Sequence, residues 1–272
     1  MSSPKQVVVS GGFDDLKSRD LRLLEEASKL GELTVLLWPD ETWQAQTGRA
    51  PKFPLAERLY FLEAVRYVSR VIPLSEVANP NELPADLPAD IWVDVAADEN
   101  AAREQFCRAG KISYRVFTAD ELKGFPEPPP MPSAPGRKKV IATGCYDWFH
   151  SGHVRFTEEA SAYGDLYVCL GSDANVRLLK GEGHPLLCQE ERRYVLGSIK
   201  FVKQALITTG SGWVDADPEI RRLKPDIYVV NEDGDKGGKR EYCQELGIEY
   251  LVLKRKPAPG LPQRSSTDLR GF

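Results

Sequence analysis

Several things are scarce in this chain, and each scarcity excludes something. The five cysteines (Cys107, Cys145, Cys169, Cys188, Cys243) are scattered with no Cys-x-x-Cys pair, so neither a zinc site nor a disulfide framework is expected. They read as mostly buried free thiols. No apolar run is long enough to span a bilayer, and Met1 to Gln6 has no apolar signal core, so the expected location is cytoplasmic. Positive charge is not in excess: the formal net charge is −4, which argues against a nucleic-acid or membrane partner. Histidine is rarest of the chemically useful residues, with three in 272 residues, and two of them stand three positions apart. The length suits two ordinary domains.

Proline, in contrast, is concentrated. Pro126, Pro128, Pro129, Pro130, Pro132 and Pro135 fall between Phe125 and Gly136. That run supports neither a helix nor an inner strand and reads as a semi-rigid extended linker. It predicts a first domain over 1–122, a linker over 123–137 and a second domain over 138–272.

The two halves repeat each other. Ser10-Gly11-Gly12-Phe13-Asp14 lies over Thr143-Gly144-Cys145-Tyr146-Asp147 at an offset of 133, held without a gap through Leu21–Ser28 over Val154–Ser161 and on to Gly31 over Gly164. After short insertions, Glu57-Arg58 lies over Glu191-Arg192, Asp90–Val93 over Asp226–Val229, and Cys107 over Cys243. Register kept this long indicates a tandem duplication. In the second half, β-rich runs predict strands near 139–143, 166–171, 203–207, 226–230 and 249–253. Helical patterns fall near 152–163, 189–199, 216–223 and 237–246. Alternation of this kind implies an α/β fold, a parallel sheet covered by helices on both faces. Ligands in such folds bind beyond the carboxyl ends of the strands.

One such end carries Thr143-Gly144-Cys145-Tyr146-Asp147-Trp148-Phe149-His150-Ser151-Gly152-His153. A strand that ends in small residues and opens a helix with His-x-Gly-His makes a phosphate site. Free N–H groups and the helix dipole favour an anion, glycine admits close approach, and imidazoles donate to phosphate oxygens. Thr143, Gly144, Tyr146, Asp147 and Gly152 are therefore candidate nucleotide-binding residues.

This segment resembles the nucleotidyltransferase superfamily marked by a His-x-Gly-His signature, the cytidylyltransferase-like family. The resemblance covers the second half nearly end to end and implies two tandem Rossmann-like nucleotidyltransferase domains. It implies that His150 and His153 are catalytic. In the family a Ser-Asp after the second strand, here Ser172-Asp173, leads to a Lys-Gly loop whose lysine contacts phosphate, and Lys180 matches it. The family arginine that meets the acceptor phosphate matches Arg192, although Arg58 at the equivalent place suggests a structural ion pair instead. A hydroxyl-rich segment opening the last helix matches Arg264, Ser265, Ser266 and Thr267, which alone would read as a helix cap. Asn231 and Asp233, in an acidic loop after a strand, are candidates for base, ribose or magnesium contact, or form a plain turn. Lys236, Lys239 and Arg240 could receive an anionic acceptor or be an ordinary charged face, and His184 reads as a surface loop residue.

The tandem layout resembles that of ethanolamine-phosphate cytidylyltransferases, with the degenerate copy at the opposite end. Ser172–Gly181 and Pro185–Gly197 resemble the nucleotidyltransferase part of bacterial heptose-phosphate adenylyltransferases, which lack the first domain. The Arg-Thr-x-Gly-Ile-Ser-Thr pattern of well-known cytidylyltransferases is not reproduced.

The implied reaction is transfer of a nucleotidyl group from CTP or ATP, with Mg²⁺ carried by the nucleotide, to a phosphorylated alcohol or sugar. The two-domain layout leans to CTP. The alternative is nucleotide binding without turnover. In the first half Lys17-Ser18-Arg19-Asp20 replaces the signature and Thr47 replaces Lys180. That half is expected to serve packing, as a pseudo-two-fold partner in place of a homodimer's second subunit; a remodelled pocket for another ligand is the competing reading.

Overall fold

A computed structural model describes residues 3–75 and 79–266. The chain divides into two compact units, Met1–Gly124 and Phe125–Phe272. The first contains β1 (Gln6–Gly11), α1 (Ser18–Ser28), β2 (Glu32–Leu37), α2 (Asp40–Thr47), α3 (Leu55–Glu63), β3 (Arg70–Pro73), β4 (Ile91–Val95), α4 (Ala101–Gly110) and β5 (Ser113–Phe117). The second contains β6 (Lys139–Gly144), α5 (Ser151–Ser161), β7 (Asp165–Leu170), α6 (Asp173–Lys180), α7 (Gln189–Gly197), β8 (Val202–Ile207), α8 (Asp217–Leu223), β9 (Ile227–Asn231), α9 (Lys239–Leu246) and β10 (Glu249–Leu253).

Each unit is a five-stranded parallel sheet flanked by helices, a Rossmann-like arrangement. The orders are β3-β2-β1-β4-β5 and β10-β9-β6-β7-β8. The central strands are short apolar runs, Val7-Val8-Val9 and Val140-Ile141-Ala142, all at most 1% exposed, as strands covered on both faces require. Registers also correspond. Val8 faces Thr34 and Trp92; its repeat equivalent Ile141 faces theirs, Tyr167 and Tyr228. Beside β6, Ile141, Cys169, Ile220, Tyr228, Val230 and Cys243 form one apolar cluster. No helix among the described residues is long and apolar enough to cross a membrane.

Helix α6 is not among those expected from the sequence pattern. Its start is capped by Ser172, whose Oγ accepts from the Asn175 amide at 3.2 Å, and Lys180 closes the helix where a loop was expected. The proline-rich segment has no helix or strand, and it lies against the second unit. The Met131 amide donates to the Lys203 carbonyl at 2.9 Å, covering part of the edge strand β8. A Cβ on Gly197 would stand 2.8 Å from the Pro128 ring.

Gly31 and Gly164 show why each unit needs glycine between its first helix and second strand. A Cβ there would lie 2.1 Å from the Lys5 carbonyl oxygen and 2.2 Å from that of Lys138. Gly31→Ala and Gly164→Ala should each cost about 1–3 kcal/mol of stability through overpacking. Urea unfolding reads this directly, and an unchanged midpoint in both variants would show that the turn relaxes freely.

Candidate active site

The chain leaves β6 toward β7 on one side, while β9 lies on the other, so the carboxyl end of β6 is the switch point of the second sheet. Gly144 ends the strand, and Tyr146 takes the left-handed backbone conformation at φ 53°. A Cβ on Gly144 would come within 2.8 Å of the Tyr146 ring. The turn therefore requires glycine and delivers the chain to the start of α5.

His150 is the N-cap of α5, and its Nδ1 accepts the Gly152 amide at 3.1 Å. This fixes the tautomer: with Nδ1 accepting, the neutral ring carries its proton on Nε2. Gly152 is needed because a Cβ there would lie 2.9 Å from His150 Cε1. His153 stacks on His150 with centroids 4.0 Å apart and on Phe149 at 5.3 Å, with Tyr146 at 5.2 Å. Its Nδ1 is buried without a hydrogen-bond partner. Burial, then the fields of His150, Arg255 and Lys180, hold the His153 ring well below the usual histidine range. It is a neutral imidazole at neutral pH.

A cavity of about 160 Å³ gathers Thr143, Gly144, Tyr146, His150, Gly152, His153, Asn231 and Asp233 from the sequence-predicted residues. It also contains Lys239 and Arg255. Lys239 donates to the Gly234 carbonyl at 3.0 Å, and burial moves its ammonium below the ordinary lysine range. Arg255, absent from the sequence reading, pairs with Asp233 at 2.6 Å and donates to the Arg264 carbonyl at 2.9 Å. The available signal was Lys254-Arg255-Lys256 directly beyond the last strand, at its ligand-side end. Arg264 lines a small adjoining recess with Gly152, Asn231 and Arg255. Ser265 is half-buried in the same segment, and Ser266 Oγ donates to the Trp148 carbonyl at 3.2 Å. Thr267 lies outside the described residues.

Three sequence candidates stand elsewhere. Asp147 is 4% exposed, and its Oδ1 accepts from the Leu186 and Leu187 amides at 2.6 and 3.1 Å. It pins the loop before α7. His184, expected on the surface, sits against it, Nδ1 to Oδ2 at 3.4 Å. Arg192 is 1% exposed and donates to the carbonyls of Leu187, Cys145 and Gly171 and to Asp173 at 2.7–3.0 Å. Those bonds make it a brace among the strand-end loops, and Arg58 repeats them on Phe53, Gly12, Trp38 and Asp40. Lys180 is exposed at the end of α6, outside the cavity lining, although its charge reaches His153.

Residues 141–271 match the family described as cytidylyltransferase-like. Over 120 residues the chain is 36% identical to the FAD synthase of Ferroglobus placidus, covering 43% of this chain and 75% of that protein. It is 35% identical over 120 residues to the bifunctional protein HldE of Aliarcobacter butzleri, covering 44% of this chain and 24% of that protein. The chain thus spans about a quarter of the length of this HldE relative. A solved structure, the lipopolysaccharide core biosynthesis protein from Thermoplasma volcanium GSS1, aligns over 45% of this chain and 99% of that one at 23% identity and a TM-score of 0.38. The strand-helix turn thus sets amides and imidazoles beside two half-buried cations, Lys239 and Arg255, at the switch point. The chain belongs to the cytidylyltransferase-like family.

The depressed His153 pKa has a consequence for stability. As pH falls below about 6.5, the unfolded chain protonates this histidine while the folded one does not, so stability falls with pH there and recovers above it. His153→Gln should flatten the dependence between about pH 5 and 7. Ring-nitrogen NMR shifts provide the direct check: a protonated His153 in the folded protein at about pH 6 would contradict the assignment.

Proposed function

We propose that the second unit transfers a nucleotidyl group from CTP or ATP to the phosphate of a small phosphorylated acceptor. The observation that carries this reading is the His150 tautomer. Its Nδ1 is held by the Gly152 amide, which leaves Nε2–H as a donor at a helix start that lines the cavity. An acceptor phosphate oxygen attacks the α-phosphorus, the bond from that phosphorus to the oxygen of the β-phosphate breaks, and pyrophosphate departs with the electron pair. No proton has to be removed from the acceptor, so no general base is required.

His150 and His153 donate to the oxygens of the reacting phosphate, where charge builds in the transition state. Being neutral, His153 acts as a hydrogen-bond donor and not as an acid. Lys239 and Arg255 supply positive charge along the cavity wall, and Lys180, at the end of α6, meets the departing pyrophosphate. Arg192 and Asp147 act as positioning residues. Among the described residues, Asp233 is the one carboxylate lining the cavity. That donor set suits Mg²⁺ held mainly by the nucleotide's own phosphates, where it would offset their charge. To Asn231, Arg264, Ser265 and Ser266 this reading assigns recognition of the base and ribose. In this reading the first unit is a copy that has lost this chemistry.

Pyrophosphate release from CTP and from ATP, screened over phospho-alcohols and sugar phosphates, tests the proposal and identifies the base. His150→Asn keeps a good helix cap while removing the Nε2 donor. It should lower turnover about a hundredfold with little change in melting temperature. Nucleotide binding with no release for any acceptor would favour a binding protein without turnover.

A further inference from the structure

The first unit keeps a cleft at the matching place, and it is the larger of the two: about 420 Å³ against about 160 Å³. It sits at the carboxyl ends of β1 and β4, the switch point of its own sheet. The repeat register translates one cleft into the other. Asp20 stands where the second unit has His153, Arg19 where it has Gly152, Asp98 where it has Gly234 and Arg103 where it has Lys239.

This is not a phosphate site that has simply decayed. Asp20 Oδ2 accepts the Lys17 amide at 2.9 Å, so a carboxylate now caps the helix that would otherwise receive an anion. Among the described residues four carboxylates line the cleft, and besides the cap Asp20 two of them have structural work. Asp14 accepts the Lys52 and Phe53 amides at 2.8 and 2.9 Å. Asp94 is paired with buried Arg103 at 2.6 Å and accepts from Tyr114 at 2.7 Å. Asp98 remains, together with the second oxygen of Asp20, whose Oδ2 takes the Lys17 amide. Burial raises the Asp20 and Asp94 carboxyls, and the negative charge of Asp98 raises both further. Negative charge is crowded here beyond what Arg103 and the exposed Arg19 offset.

The walls are aromatic. Trp43 lies over Gly12, where a Cβ would stand 2.0 Å from the ring, and its indole N–H is buried without a hydrogen-bond partner. The surroundings already hold one organic cation on indole faces: the Arg103 guanidinium is 5.6 Å from the Trp38 ring centre and 5.5 Å from that of Trp92. No group of three metal-ligating side chains gathers among the described residues. Carboxylate charge beside indole faces that already hold a guanidinium suits an organic cation.

We propose that the first unit binds a small organic cation, an amine or quaternary ammonium that also carries a hydrogen-bond acceptor. Asp20 and Asp98 balance its charge, Trp38 and Trp43 pack against its body, and the Trp43 N–H meets its acceptor. This site is separate from the nucleotidyl-transfer site and stands whether or not that reaction is correctly assigned.

Calorimetric titration of the full chain with choline and with tyramine, each an organic cation bearing an oxygen acceptor, tests it. Saturable binding of at least one probe is expected. Asp98→Asn changes an exposed residue, and Asp20→Asn keeps an acceptor for the Lys17 amide, so both variants should fold. Each should weaken binding about tenfold or more, as loss of a charged partner does. His153→Gln should leave probe binding unchanged. Absence of saturable binding for both probes, or unaltered affinity in both aspartate variants, would overturn the proposal. A stoichiometry of two nucleotides per chain would also overturn it, because it would place a triphosphate in this cleft.

Discussion

The buried guanidinium of Arg192 ties the ligand-side loops of the second unit together. It joins the turn after β6, through the Cys145 carbonyl, to the end of β7, the loop before α7 and the start of α6. A charge this deeply buried is tolerable because its donors meet oxygen acceptors in a planar fork that lysine could not reproduce. Asp147 adds a second tie between the same turn and the loop before α7. The turn that carries His150 and His153 is thus fixed at several points before any ligand arrives, as a site that acts by positioning requires.

The first unit preserves those ties. Arg58 and Asp14 grip the equivalent carbonyls and amides. Asp90 and Asp226 each accept the amide that opens the central strand, both at 2.7 Å. What differs is the helix start. In one unit an imidazole accepts from a glycine amide; in the other an aspartate three residues into the helix reaches back to the cap residue's amide. Both satisfy the free N–H groups of a helix N-terminus. One leaves a neutral donor in the cleft and the other a carboxylate. Two helix starts of different charge can therefore be built on one scaffold at little cost to the fold.

Burial decides the electrostatics of the second cleft. It keeps His153 neutral and lowers Lys239, while the ion pair between Asp233 and Arg255 keeps those two charges balanced. A triphosphate entering such a cavity meets fixed donors and a few partly desolvated cations. Interactions of that kind are stronger than the same groups would make in water.

The sequence by itself determined whatever depends on neighbours along the chain. Apolar runs, glycines at turns and the repeat register give the parallel sheets and place the His-x-Gly-His helix start at a strand end. The tautomer follows from a cap contact between His150 and Gly152, two positions apart. The short helix α6 was missed although Ser172-Asp173 is a cap signal, because eight residues carry too little periodicity to stand out. Only the tertiary structure decided the rest. Asp147 read as a ligand contact in sequence and Arg192 as either a substrate contact or a scaffold; their partners here are loop carbonyls and amides, with Asp173, that converge only when the strands align. Arg255 was passed over, because Lys254-Arg255-Lys256 reaches the cavity only when β10 pairs with β9 and sets it beside the loop of Asp233. The first unit's cleft was legible as the loss of histidines and glycine, but not as a cavity with its own charge. Its volume, and the gathering of Trp38, Trp43, Asp20 and Asp98 around it, depend on packing between distant segments that no local spacing encodes.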